Sequence, residues 1–176
     1  MLWGTLLLLA MATALAGPAD PKDYEVKAAF LYNFTKFVEW PPHTFKNQEE
    51  PVVVGVLGAP QCATALEQLV KDRKVNGRAI VVRRIDTAED AKSAQLLFVG
   101  SSEEEHFARL LPSLAGAPVL TVGESQAFKE LGGAINFVVD DSKVRFEINA
   151  LAAERVGVKI SAQLLKLARP PPSRGS

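Results

Sequence analysis

Between Pro51 and Gly58 the chain reads Val-Val-Val-Gly-Val-Leu, with no polar side chain. A strand with one wet face alternates apolar and polar residues, so an unbroken β-branched run over 52–57 reads as a strand buried on both faces. Such a strand needs covering layers above and below, and the rest of the chain supplies them in turn. A helix is expected over 62–71, a turn at Asn76-Gly77, a strand over 79–85, a short helix over 87–92 and a strand over 95–99. Ser102 with Glu105 has the spacing of a capping box, and Glu103, Glu104 and Glu105 suit a first helical turn, where the helix dipole favours negative charge. Pro112 ends that helix; a strand over 118–122, a short helix over 124–131 and a strand over 134–139 follow. Asp140-Asp141-Ser142 makes a tight turn into a strand over 143–148. Asn149 caps a helix closed by Gly157, and 160–168 forms a last amphipathic helix. The expected fold class is α/β: a single domain with a mostly parallel sheet flanked by helices and a C-terminal antiparallel hairpin.

A chain of 176 residues accommodates one domain with a substantial core. Twenty acidic residues balance twenty basic ones, and 48% of residues are hydrophobic, a composition of neither a disordered chain nor a general nucleic-acid binder. Before the first charged residue, Asp20, lies an apolar run from Leu6 to Met11, and Ala14-Leu15-Ala16 has the small-x-small form of a cleavage site. The expectation is a signal peptide over 1–16, cleaved near Ala16, that delivers the chain to the periplasm. The alternative is a retained anchor, although Gly17 and Pro18 interrupt the stretch short of the roughly 20 apolar residues that span a bilayer. The folded domain is expected over 17–169, followed by a disordered Pro-rich tail over 170–176. Cys62 is the sole cysteine, so no intramolecular disulfide forms, and the thiol reads as a small buried apolar residue on a helix.

Catalytic signatures are lacking. His43 and His106 share no segment with a cysteine or a metal-spaced carboxylate pair, and Gly100-Ser101-Ser102 is no nucleophile elbow. Gly55 and Gly58 make an incomplete phosphate-binding fingerprint, so no cofactor, metal site or enzyme activity is expected. In an open α/β sheet a small ligand belongs at the carboxyl ends of the strands. Lys71, Arg73, Lys74, Arg78, Arg83 and Arg84 form a local basic excess able to receive an anion, with Arg78, beside the Asn-Gly turn, its best single member. Within 143–148 alternation places Val144, Phe146 and Ile148 on one face and Lys143, Arg145 and Glu147 on the other. Asn136, flanked by Ile135 and Phe137, faces away from the core set. Asn136, Arg145, Glu147, Asn149 and Lys159 then either build a polar ligand pocket or act as cross-strand pairs and an N-cap.

The first helix is oilier than a helix on one side of a sheet requires. Asp20 suits its N-cap and Pro21 its first position. Val26, Phe30, Phe34, Phe37 and Val38 recur at spacings of three and four as an apolar stripe, and Pro41-Pro42 stops the helix. Tyr24, Leu31, Tyr32 and Trp40 widen the stripe, while Lys27, Asn33 and Lys36 leave a narrow polar side. Surplus rings point to a second buried contact with a twin subunit or another protein, for which Tyr32, Phe37 and Trp40 are the candidates.

The segments EVKAAFLYNFTKFVEWP (25–41), VNGR (75–78), LLFVG (96–100), PVLTVG (118–123), GGAINF (132–137), VRFEIN (144–149) and GVKISAQLLKLAR (157–169) together resemble the YfiR family of exported bacterial proteins. The resemblance implies a non-enzymatic periplasmic regulator that represses an inner-membrane diguanylate cyclase by contacting its periplasmic sensor domain, lowering cyclic di-GMP output and biofilm formation. It also implies a homodimer. Some members of that family use disulfides for redox control, which Cys62 alone does not support. A second reading from the residues is a module that binds a small anionic or aromatic solute and feeds a membrane sensor kinase.

Overall fold

A computed structural model describes residues 21–170 of the chain. The expected leader over 1–16, its cleavage near Ala16, the Asp20 cap and the tail beyond Pro170 lie outside the described residues.

Helix α1 (Pro21–Lys36) leads into β1 (Val38–Glu39) and a loop containing one 3-10 turn, Pro42–Thr44. Then come β2 (Val52–Leu57), α2 (Pro60–Val70), β3 (Lys74–Val75), β4 (Arg78–Arg84), α3 (Ala88–Ser93) and β5 (Leu96–Val99). The second half runs α4 (Glu104–Leu110), β6 (Leu120–Gly123), α5 (Gln126–Glu130), β7 (Ile135–Asp140), β8 (Lys143–Ile148), α6 (Ala150–Arg155), β9 (Lys159–Ile160) and α7 (Ala162–Leu167).

Seven strands form one sheet in the order β3-β4-β2-β5-β6-β7-β8. The five from β4 to β7 are parallel, and β3 and β8 close the two edges antiparallel. The expected class therefore holds, and all six residues of β2 are buried at the centre of the sheet. Chain direction across the sheet reverses at β2: the chain passes outward to β4 and returns to β5 on the other side. Both hairpin turns take backbone with positive φ, Asn76 (51°) with Gly77 (80°) and Asp141 (48°) with Ser142 (59°), as two-residue turns between twisted strands require.

The sheet divides the core into two clusters, and β5 shows how. Leu96 and Phe98 face one way, toward Leu31 and Phe34 of α1 and Leu66 of α2. Leu97 and Val99 face the other way, toward Phe107 of α4 and Phe128 of α5. Period-two alternation thus feeds both layers from one fully buried strand.

Several expectations are corrected. Helix α1 stops at Lys36, five residues before Pro41, because Val38 and Glu39 pair antiparallel with Ile160 and Lys159 in a separate two-stranded sheet. Phe37 and Trp40 therefore lie beyond the helix. Its buried face is Lys27, Ala28, Leu31, Phe34 and Thr35, whereas Val26 is exposed. The stripe is rotated because α1 packs on α2 as well as on the sheet, and that seam selects Ala28 and Leu31 over Val26. Lys27 is not on a solvated side; its partner lies across the fold. Ser102 and Glu105 form no capping box. Ser101–Glu103 is a 3-10 turn, and α4 begins at Glu104 without a side-chain cap. Ile160 belongs to β9, and Ser161 caps α7 by accepting from the Leu164 amide.

Candidate functional site

The ring-rich segment resolves into an enclosed part and a half-buried part. Phe30 and Phe34 stack against each other with centroids 6.1 Å apart and reach Phe137 at 5.9 and 5.8 Å and Phe146 at 5.4 and 5.1 Å. Phe98 joins them through Phe137 at 5.9 Å. These five rings glue α1 to β5, β7 and β8, so the stripe rings Phe30 and Phe34 are core.

Tyr32, Phe37 and Trp40 remain half-buried against that cluster. The Lys36 ammonium lies 5.4 Å from the Tyr32 ring and 5.9 Å from Phe37, and the Arg73 guanidinium covers Tyr32 at 5.4 Å. Trp40 is turned differently: its Nε1 donates to the Gln95 carbonyl at 3.0 Å, and its ring meets the edge of Phe45 at 6.4 Å. Tyr32 and Phe37 thus share one cation, whereas Trp40 is tied to the sheet.

The polar candidates separate. Asn136 stands opposite Glu147 across the β7–β8 ladder, and with Asn149 both line a cleft of about 340 Å³. Lys129 of α5, which the sequence reading missed, enters the same cleft and donates to Glu147 Oε2 at 2.5 Å. Asn136 is buried and its Oδ1 has no hydrogen-bond partner among the described residues. Asn149 Oδ1 accepts from the Ala152 amide as the cap of α6. Arg145 pairs with Val138 and is exposed, and Lys159 lies opposite Glu39 in the two-stranded sheet. Neither lines the Asn136 cleft. Arg78 is at the opposite edge, where Nη1 donates to the carbonyls of Asn47 (2.7 Å) and Glu50 (2.8 Å) while the guanidinium lies 4.0 Å above Phe45. Its charge clamps the loop before β2.

A further ion pair sits at the carboxyl end of β6. Lys27 Nζ donates to Glu124 Oε2 at 2.6 Å, with the two side chains only 10% and 11% exposed. Glu124 Oε1 accepts from the Ser101 amide at 2.9 Å, which joins the ends of β5 and β6. No local pattern signals this pair, because its members come from the first helix and the loop after β6. Cys62, on the buried side of α2, feels both charges. Burial, aided by the Glu124 carboxylate and opposed by Lys27, pushes its thiol from 9.0 up to about 12. The thiol is therefore protonated and inert at neutral pH. Among the described residues no three His, Cys, Asp or Glu side chains gather where they could hold a metal ion, and no helix is long and apolar enough to cross a membrane.

One buried ion pair, Lys27–Glu124, thus stands at the strand ends of this sheet, and comparison with known proteins shows what the chain resembles. Residues 24–169 match the model of a family described as YfiR/HmsC-like, and the chain belongs to that family. It is a family of periplasmic regulators rather than of catalysts. Among solved structures the chain is similar to a conserved domain protein from Vibrio cholerae O1 biovar El Tor str. N16961. The match has 16% sequence identity and a TM-score of 0.50, and covers 82% of this chain and 58% of that one. At this identity the likeness concerns the fold.

Proposed function

We propose that the protein is a periplasmic repressor that docks on the sensor domain of an inner-membrane diguanylate cyclase and holds it inactive, lowering cyclic di-GMP and biofilm formation. Family membership over 24–169 carries this reading. The docking surface is built on Tyr32, Phe37 and Trp40: the half-buried rings of Tyr32 and Phe37, flanked by Lys36 and Arg73, have the aromatic and cationic make-up of an interface hot spot, and half-buried Trp40, tied to the sheet through Gln95, borders them. The repressor acts as a homodimer, and an envelope signal releases the cyclase by binding the docked and free states with different affinity. Replacing Tyr32 and Phe37 together by Ala is expected to leave the circular dichroism spectrum intact and to abolish both co-purification with the cyclase sensor domain and repression of cyclic di-GMP. Full repression by the folded double variant overturns the surface assignment; failure of the unmodified protein to bind any such sensor domain overturns the function.

A second reading, a solute-binding module feeding a membrane sensor kinase, draws support from the cleft where Asn136, Glu147 and Asn149 meet Lys129. In that reading Arg145, Lys159 and Arg78 lie outside the cleft and act on the solute only at long range.

A further inference from the structure

The carboxyl end of β4 carries a site that neither reading uses. We infer that the cleft between α1 and α2, beneath Arg84, binds a small flat monocarboxylate that also carries a hydroxyl or amino donor.

Alternation along β4 puts Arg84 on the same face as Ile80 and Val82, which pack into the cluster under α1 and α2. Arg84 therefore extends on the α2 side, at the strand end where open α/β sheets hold ligands. The cleft it borders measures about 530 Å³, inside the roughly 300–1,000 Å³ range of small-molecule sites. Tyr24 and Glu25 line it from α1, and Gln61 and Gln68 from α2.

The partnering of these groups sets them apart. Arg73 bonds the Leu69 carbonyl, Arg78 bonds two carbonyls and Arg83 donates to Ser93 Oγ. Arg84, alone of the four arginines in this basic run, makes no hydrogen bond or ion pair with the described residues. Tyr24, Glu25, Gln61 and Gln68 likewise make none. Five side chains with unspent hydrogen-bonding capacity thus converge on one cleft, and their chemistry selects the ligand. The guanidinium fork fits a carboxylate in two parallel bonds. The Lys27 ammonium stands 5.5 Å from the centre of the Tyr24 ring, which leaves the ring's other surface for stacking, and the two glutamines supply amides for a planar polar body. The Glu25 carboxylate repels a second negative charge and accepts from a hydroxyl or amine. A bare phosphate can accept from the arginine and the glutamine amides, but it has no flat body to lay on the Tyr24 ring and brings a second negative charge against Glu25.

The test is titration of purified protein with 4-hydroxybenzoate by isothermal calorimetry, with benzamide and inorganic phosphate as comparison ligands. Saturable binding of 4-hydroxybenzoate is expected, with benzamide at least tenfold weaker. Arg84→Gln should weaken binding at least tenfold at an unchanged circular dichroism spectrum, while Arg83→Gln leaves it unaltered. Absence of saturable binding, equal affinity in Arg84→Gln, or equally tight binding of phosphate overturns the proposal. The measurement needs no partner protein, so its failure is distinguishable from failure of the repressor reading.

Discussion

Cβ atoms added at Gly123 and Gly133 would fall 2.2 and 2.0 Å from the ring of Phe128, which is fully buried beneath α5. The ring is held between two stretches of backbone, and a methyl group at either place has nowhere to go. Gly133→Ala is expected to destabilise the fold by about 3 kcal/mol, the upper part of the overpacking range, measured as a lower midpoint in urea at unchanged slope. Cys62 sets a different residue-scale test. Its pKa of about 12 in the fold exceeds the ordinary 9.0, so the folded protein keeps a proton that the unfolded chain releases between those values. Below about pH 9 this group contributes no pH dependence, and above it stability falls as pH rises. By pH 10 the protein should lose about 1 kcal/mol more than Cys62→Ala does. The native thiol should also fail to react with a disulfide reagent at pH 8. Its character was legible in the sequence, since a lone cysteine within an apolar helix stripe has little else to be. The Phe128 clamp was not, because its two glycines are separated by the helix whose ring they admit.

Elements differ in how far local pattern reaches. Strand β2 and the β7–β8 hairpin were legible because an unbroken apolar run, a period-two alternation and a short turn are all contained in a few residues. The Asn149 cap was legible for the same reason. Strands β1 and β9 were not: each has two residues, and what makes them strands is a partner some 120 positions away. The rotation of α1 has the same origin. Which stripe of a ring-rich helix is buried depends on α2 packing beside it, and Lys27 acquires its role only when Glu124 arrives at the end of β6. This pair anchors α1 to the strand ends. Lys27→Met leaves a buried carboxylate supported by the Ser101 amide alone and should cost about 3 kcal/mol. Adding Glu124→Gln removes the orphaned charge while keeping an acceptor for Ser101, and should recover more than half of that loss. A double-mutant cycle in urea measures both.

At the scale of the molecule, one sheet serves two cores. Leu96 and Phe98 belong to the layer under α1 and α2, Leu97 and Val99 to the layer under α4 and α5, and neither layer can melt without unburying the strand they share. Unfolding should therefore be a single cooperative transition, with near- and far-ultraviolet circular dichroism giving one midpoint; separate midpoints would show independent layers. Strand and helix periods, turn residues and the solitary cysteine determined by themselves that this is a single α/β domain with no intramolecular disulfide, since those signals act over a few bonds. Tertiary structure alone decided which charges are spent. Arg78 was the obvious anion-binding candidate and is consumed by two loop carbonyls, while Arg84, six residues along the same strand, faces an open cleft. A side chain's partners are set by the order of strands in the sheet, and that order is carried by contacts between segments far apart in the chain.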